Sequence, residues 1–531
     1  MPCEGFYLFV NWRQNSCNTL LLDSNSHELK EGHCLPTPDV APDTTAPPVL
    51  CVDLDGTLVK SDTLYDSALV LARHRPAALL NLPRWLAQGK AALKQHLTSA
   101  VQLDVTHLPY NRELLQYLEQ QQTAGRPIYL ATAANSVLAQ RVADHLGLFT
   151  GVLASDRNVN LAGNNKLLAF QSRFGDNFAY IGNALLDLPL LKSCQQPMVA
   201  NPTSRLRSAL HSAGITPVRT FTEEVSPLKA WLKAIRLHQW AKNTLVFLPL
   251  LLAHAWAPGL LAAAFLAFLS FGLCASATYI VNDLLDLESD RQHPRKRLRP
   301  FASGDLSVLS GIFVVVLFLA ASLTLAMLVP RVIAELSPQL LSSIKPHYFL
   351  LWLSIYLVTT LAYSLRLKRS VLVDVIVLSG LYTIRIIAGS AATGVAVSTW
   401  LGSFSIFFFL SLAFVKRFAE LESLRERGGA QASGRGYHIA DIEQLRSFGS
   451  ASGYASVVVL TLYISTLDAA QLYHHTRRLW LLVPVLLLWI SRLWLQAARG
   501  QLNEDPVVYA ITDRRSLLMG VLVLAIVLSA L

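Results

Sequence analysis

The chain has 531 residues, 53% of them hydrophobic and only 15% charged, and its mean hydropathy is +0.40. That composition excludes a wholly soluble protein of ordinary make-up. The formal charge of +10 falls in short loops between apolar runs, which suits membrane orientation and anionic substrates and argues against nucleic acid as a partner.

Residues 1–46 are polar and carry no recognisable chemistry. Phe6-Tyr7-Leu8-Phe9-Val10 is too short for a signal h-region, and no basic segment precedes it. The stretch is expected to be a poorly ordered N-terminal tail. The six cysteines, Cys3, Cys17, Cys34, Cys51, Cys194 and Cys274, form no metal-ligand or disulfide pattern and are expected to be free thiols.

Residues 47–225 have soluble character. Val49-Leu50-Cys51-Val52 predicts a buried strand that runs into Asp53-Leu54-Asp55-Gly56-Thr57. In open α/β sheets the ligand sits at that carboxyl end. Asp53 is placed to attack a phosphate and Asp55 to pass a proton to the leaving oxygen. The pentapeptide resembles that of the haloacid dehalogenase (HAD) phosphotransferases. The resemblance implies an α/β Rossmann-like domain with a small helical cap inserted over residues 62–125. It also implies that Thr132 binds phosphate, that Lys166 offsets the charge of nucleophile and phosphate, and that Asp53, Asp55 and Asp187 hold Mg²⁺. One departure is Asn183, where the family usually has Asp; the change keeps an oxygen ligand and removes a charge. In the cap, Arg73, His74, Arg75, Lys90 and Lys94 read as a solvated face.

Residues 226–242 predict an interfacial amphipathic helix, with Lys229, Lys233 and Arg236 on one side and Leu228, Trp231, Leu232 and Ile235 on the other. Trp240 suits the headgroup level. From 243 to 531 come nine apolar spans, approximately 243–257, 260–282, 306–329, 348–364, 371–394, 400–415, 449–467, 478–496 and 515–531. Loops after the even-numbered spans carry several-fold more Lys and Arg than the others. The positive-inside rule puts those loops in the cytoplasm, together with the soluble domain. The expected localisation is therefore integral to the inner (cytoplasmic) membrane, multi-pass.

The second span ends in Asn282-Asp283-Leu284-Leu285-Asp286-Leu287-Glu288-Ser289-Asp290, with Arg299-Pro300 further on. On a helix Asn282, Asp286 and Asp290 share one face. Carboxylates at the end of an apolar span are costly unless something binds them. Mg²⁺ bridging Asp283, Asp286 and Asp290 to a diphosphate would remove their repulsion. The fourth span closes on Tyr363, with Lys368 and Asp374 soon after.

These two loops resemble the UbiA superfamily of intramembrane transferases, in which the Asp-rich loop binds a diphosphate through Mg²⁺. The resemblance implies an all-α, nine-helix transmembrane domain. The second Asp-x-x-x-Asp of the aromatic prenyltransferases is missing, because Asp374 is followed four residues later by Leu378. Gln239-Trp240 with Lys242-Asn243, Ile384-Arg385-Ile386-Ile387-Ala388-Gly389, Val415-Lys416-Arg417 and Asp505-Pro506-Val507-Val508 resemble instead the decaprenyl-phosphate phosphoribosyltransferase branch. That branch implies phosphoribosyl pyrophosphate (PRPP), or another diphosphate donor, and a polyprenyl phosphate acceptor in the bilayer. Asp283, Asp286 and Asp290 would then be catalytic, with Asn282, Tyr363, Asp374 and the cations Lys242, Lys368, Arg385, Lys416 and Arg417 binding substrate beside Asn243. The alternative is transfer of an isoprenoid diphosphate to an aromatic acceptor, with a non-catalytic HAD domain. Arg425–Gly436 is polar and glycine-rich and reads as a lid or a linker.

Overall fold

The computed structural model describes residues 47–531 except 157–158, 224, 340–345, 427–435 and 503–504. The expected tail at 1–46 and most of the Arg425–Gly436 loop lie outside the described residues.

Six strands, β1 (Val49–Val52), β2 (Ile128–Asn135), β3 (Gly151–Ser155), β4 (Phe178–Gly182), β5 (Gln196–Ala200) and β6 (Arg219–Phe221), form one parallel sheet in the order β3-β2-β1-β4-β5-β6. Alternation along β1 decides its two faces. Leu50 and Val52 enter one core with Ile128, Leu130 and Leu138. Cys51 enters the opposite core with Phe170, Tyr180 and Leu190. A sheet buried on both faces needs this near-continuous apolar sequence. Strand order reverses between β1 and β4, and the crevice outside their carboxyl ends is the expected ligand site.

Between β1 and β2 lies a helical insertion that opens with α1 (Thr63–His74). Asp62 caps it by accepting from the Leu64 N–H, and Asp66 sits in its first turn. The face of α1 that carries Tyr65 and Leu69 packs against Ala277, Ile280, Leu284 and Phe301 of the membrane-embedded part. The soluble and membrane parts are thus joined by a packed apolar contact, on the side where the Asp-rich motif emerges.

Among the described residues seven helices are long and apolar enough to cross a membrane: Pro258–Leu285, Val308–Leu336, His347–Leu365, Val373–Thr393, Thr399–Arg425, Ile439–Ile464 and Thr476–Ala498. The expectation of nine is not reached by this measure. The span expected at 243–257 is a 3-10 run, Leu237–Phe247, followed by the five-residue helix Leu248–Leu252. The span expected at 515–531 is the helix Arg514–Ala530, at 17 residues short of the ~20 that cross comfortably. The 3-10 run has a packing reason. It lies so close to Val373–Thr393 that a Cβ on Gly389 would stand 2.1 Å from the Val246 carbonyl oxygen. This closeness buries the polar Lys242 and Asn243 inside the bundle. A 3-10 stretch of this length is uncommon and often marks a functional segment.

The interfacial helix is shorter than expected. It spans Pro227–Ile235 and stops because Arg236 adopts φ 54°, a left-handed conformation unusual for a residue with a side chain. Leu228 and Leu232 are exposed while Ala230 and Ala234 are buried against the bundle.

Candidate functional site

In the soluble part, Asp53 follows β1 and Lys166 lies in the first turn of the helix Asn164–Phe174. Lys166 Nζ stands 2.8 Å from Asp53 Oδ1 and donates to the Tyr180 hydroxyl at 3.0 Å. That hydroxyl donates to Asp187 Oδ1 at 2.8 Å, while Asp187 Oδ2 accepts the N–H groups of Asn183 and Ala184. Asp55 accepts the Thr63 N–H at 2.7 Å, at the start of α1. Thr132 is fully buried on β2, where its hydroxyl accepts the Ala134 N–H. Burial pushes the Asp53 carboxyl up to about 6 against the pull of Lys166. Burial, reinforced by neighbouring Asp62, pushes Asp55 up to about 8. Asp53 therefore gives up its proton more readily than Asp55, the order a nucleophile and a general acid need.

Both oxygens of Asp187 are engaged in anchoring the loop after β4 and in orienting Tyr180 beneath Lys166. A Cβ on Gly56, which has φ 75°, would stand 2.0 Å from the Asn183 amide nitrogen, so the loop after β4 closes directly over the Asp53–Gly56 turn. Lys94, expected on a solvated face, donates instead to the Ala133 carbonyl and to Asn160.

The membrane part presents the acidic motif at the end of Pro258–Leu285 and in the short helix Leu287–Gln292. Asp283 and Asp290 are buried. Asp283 Oδ1 meets Arg236 at 2.5 Å and Arg299 at 3.1 Å. Asp290 Oδ2 meets Arg299 at 2.6 Å. Asp286 Oδ2 meets Lys368 at 2.7 Å, and Asn282 Oδ1 lies 3.5 Å from the same lysine. The other Asp286 oxygen meets Arg73 of α1 at 3.2 Å. Among the described residues no three His, Cys, Asp or Glu side chains stand close enough to hold a metal ion in this arrangement, because protein cations stand between the carboxylates. The donor set nevertheless suits Mg²⁺: it is all oxygen, and each of the two buried carboxylates engages arginine through one of its two oxygens.

A second constellation lies around Asp505. Lys242 and Lys416 approach the same carboxylate oxygen at 2.6 and 2.9 Å, and the Tyr382 hydroxyl donates to the other at 3.3 Å. Lys242 also stands 5.5 Å from the centre of the Tyr382 ring, with Arg385 5.8 Å from it on that ring. Arg385 donates to Asn243 at 2.9 Å and to the Tyr356 hydroxyl at 3.0 Å. Two cations therefore share one carboxylate, with a third, Arg385, on the neighbouring Tyr382 ring. Tyr279, one turn before Asp283, packs on the cluster that contains Tyr356 and links the two constellations.

Asp374 and Arg417 were expected to bind substrate, and the structure commits them to each other. The fully buried Asp374 meets Arg417 Nε at 2.5 Å and accepts from the Tyr437 hydroxyl. Arg417 gives its remaining donors to Glu420 and to the Tyr363 hydroxyl. This closed pair is a framework that holds Tyr363. Lys368 joins the acidic motif, whereas Lys416 joins Lys242. Sequence reasoning missed Arg73, Arg236 and Arg299 as partners of the motif. Arg299 had a usable signal in its Arg-Pro context, and Arg236 in the Arg-Leu-His-Gln-Trp entry. Arg73 had none.

Comparison with known proteins adds the following. The profile of the UbiA prenyltransferase family matches residues 244–518, and that of haloacid dehalogenase-like hydrolases matches residues 50–192. An uncharacterized protein y4nM from Sinorhizobium fredii is 38% identical over 485 residues, covering 90% of this chain and 89% of its own. The nodulation protein NoeC of Azorhizobium caulinodans is 35% identical over 291 residues, covering 55% of this chain and 90% of its own. The decaprenyl-phosphate phosphoribosyltransferase of Mycobacterium tuberculosis is 38% identical over 203 residues, covering 37% of this chain and 62% of its own.

Proposed function

Because the chain belongs to the UbiA prenyltransferase family and carries an amino-terminal haloacid dehalogenase-like domain, we propose that this integral membrane protein moves 5-phosphoribose from PRPP to a polyprenyl phosphate. The observation that carries this reading is the division of charge. An acidic motif suited to Mg²⁺ and a diphosphate lies at the end of one helix, and Lys242 and Lys416 gather around the single carboxylate of Asp505, with Arg385 beside them over the Tyr382 ring. An acceptor that arrives already ionised needs cations to position it, and no base to remove a proton. An aromatic acceptor needs the reverse.

In the proposed reaction the bond between ribose C1 and the diphosphate oxygen breaks, and its electron pair leaves with the diphosphate. An oxygen of the acceptor phosphate then bonds to C1 as positive charge develops there. Asp283, Asp286 and Asp290 would hold Mg²⁺, which when bound would offset the charge of the leaving group. Arg236, Arg299 and Lys368 surround that motif and would be the donors available to the diphosphate oxygens. Lys242 and Lys416 hold the acceptor phosphate, with Arg385 fixed between Asn243 and Tyr356 at their side.

The soluble domain is proposed to remove the 5-phosphate from the lipid-linked product. Asp53 attacks phosphorus, Asp55 protonates the ribose oxygen as it leaves, and water then releases phosphate from Asp53. Lys166 offsets the charge of Asp53 throughout. Asp53, Asp55 and Asn183 would hold Mg²⁺ here, with Thr132 at the phosphate. The loop charge bias supports a cytoplasmic position for the soluble domain and the motif, where PRPP is soluble. The test is direct. Purified protein given PRPP, Mg²⁺ and polyprenyl phosphate is expected to form lipid-linked ribose phosphate; an aromatic prenyl product in its place would end this reading.

A further inference from the structure

Helix α1 belongs to the soluble domain, yet its two ends serve different sites. Its first N–H, that of Thr63, is bound by Asp55 in the nucleophile loop. Near its last residue, Arg73 reaches the membrane part, with one guanidinium nitrogen 3.2 Å from Asp286 Oδ1 and another donating to the Ser364 carbonyl at 3.2 Å. Asp286 is therefore gripped from both sides, by Lys368 of its own domain and by Arg73 of the other.

The placement of Arg73 is built in. Asp66, Leu69 and Arg73 follow one another at helical spacing, so they share one face. Asp66 is fully buried and pairs at 2.9 Å with Arg291, which belongs to the acidic motif's own short helix. The Ser61 hydroxyl donates to Asp66 at 2.6 Å and accepts from Arg291 at 3.1 Å. Leu69 and Tyr65 supply the apolar contact. Beyond them, the Asp104 N–H donates to Glu288, and Gln292 donates to Asp104. Three side chains of that short helix thus hold the soluble domain in register, and Arg73 comes to Asp286 just before it. Its side chain is only 15% exposed, as is that of Asp286.

We propose that Arg73 is a diphosphate-binding residue of the transferase site, supplied by the phosphatase-like domain. It rests on the reading of the acidic motif as a diphosphate site. If the Asp286 carboxylate is drawn to a bound metal, the guanidinium nitrogen now on its Oδ1 is released toward the same space, while the other stays on the Ser364 carbonyl. A planar fork of this kind suits the oxygens of a diphosphate. The soluble domain then completes the donor site. A rise of ~1.5 Å per residue puts the two reaction centres ~15–20 Å apart along one helix, so product made at one end is delivered close to the other.

The experiment uses the full chain in detergent and inorganic diphosphate as the probe. Its affinity in the presence of Mg²⁺ is measured at equilibrium for wild type, Arg73→Ala and Arg73→Lys, together with hydrogen exchange of the α1 amides. Loss of a charge-assisted contact is expected to weaken binding by about tenfold or more in Arg73→Ala. Arg73→Lys should recover part of that, and α1 protection should be unchanged. Equal affinity in wild type and Arg73→Ala would overturn the proposal. So would a loss of binding that travels with loss of α1 protection, because Arg73 would then only dock the domains. If wild type binds no diphosphate at all, the acidic-motif reading falls and this proposal falls with it. If wild type binds diphosphate but forms no ribosyl lipid from PRPP, only the choice of donor and acceptor fails and the Arg73 comparison still stands.

Discussion

Asp66→Ala is the substitution with the sharpest expected consequence. The side chains of Asp66 and Arg291 are 0% and 5% exposed. Removing the carboxylate leaves Arg291 with the Ser61 hydroxyl and the Ala302 carbonyl as partners for a buried charge. Breaking one side of a buried ion pair costs about 3–5 kcal/mol. Because the pair ties α1 to the acidic motif, the cost falls on docking of the soluble domain rather than on its sheet. Amide exchange along Thr63–His74 and Leu287–Gln292 should accelerate by about 10²–10³-fold, while exchange in β1 and β4 stays as in wild type. The double variant Asp66→Ala with Arg291→Met removes the orphaned charge. It should be milder than Asp66→Ala alone, giving a coupling of about 2–3 kcal/mol. Effects of the two single changes that simply add, or acceleration below about fivefold, would show that the pair is not the clamp between the domains.

Four further outcomes are expected. Asp283→Asn or Asp286→Asn should abolish transfer while the protein stays inserted; retained transfer in both would refute the role of the motif. Asp53→Asn should stop phosphate release and leave formation of the lipid-linked product intact, whereas unchanged release would mark the soluble domain as non-catalytic. Asn183→Asp restores a charge beside Gly56 and should raise Mg²⁺ affinity at the soluble site by about tenfold, as read by calorimetry in an Asp283→Asn background. In that same background Mg²⁺ affinity should depend on pH. Asp53 titrates at about 6 because burial disfavours its charge. Below that pH the metal must displace a proton from Asp53, so affinity falls by up to about tenfold per unit on acidification; a flat profile from about pH 5 to about pH 7 would contradict the assignment.

What was legible in the sequence follows from how local each signal is. β1 and its Asp53–Thr57 turn are written within ten residues, as an apolar run and then a turn that only Gly56 can make beside Asn183. The acidic motif is equally local, since a helix brings positions four apart together. Seven of the nine expected spans are long helices, because length and hydropathy are what a bilayer requires. The misses are of other kinds. The break at 237–252 depends on tight packing against Gly389, a contact between segments far apart in sequence. Arg236 was assigned to a helix face, but the helix ends at Ile235 and a left-handed turn redirects its side chain to Asp283. Asp374 is expected to bind substrate from the resemblance, which carries no sign that Arg417 and Tyr437 hold it within the protein. Arg73 was unreadable, since nothing near it in the chain distinguishes it from a solvated arginine.

The cations around the acidic motif share a property that bears on how the site works. Arg73, Arg236, Arg299 and Lys368 come from four separate segments, and each ends on a carboxylate of the acidic motif. Carboxylates buried at a membrane surface are costly alone, and these pairs neutralise them. A bound Mg²⁺ and diphosphate would present the same charges in exchanged order, with carboxylates on the metal and cations on phosphate oxygens. Binding then swaps partners within a site whose charges were already removed from water, so the desolvation cost is met largely on folding. Substitution of one cation for a neutral residue should accordingly harm folding and diphosphate binding through the same side chain. A conservative Lys-for-Arg change separates the two, because it preserves the charge that folding needs while losing the fork that a diphosphate prefers.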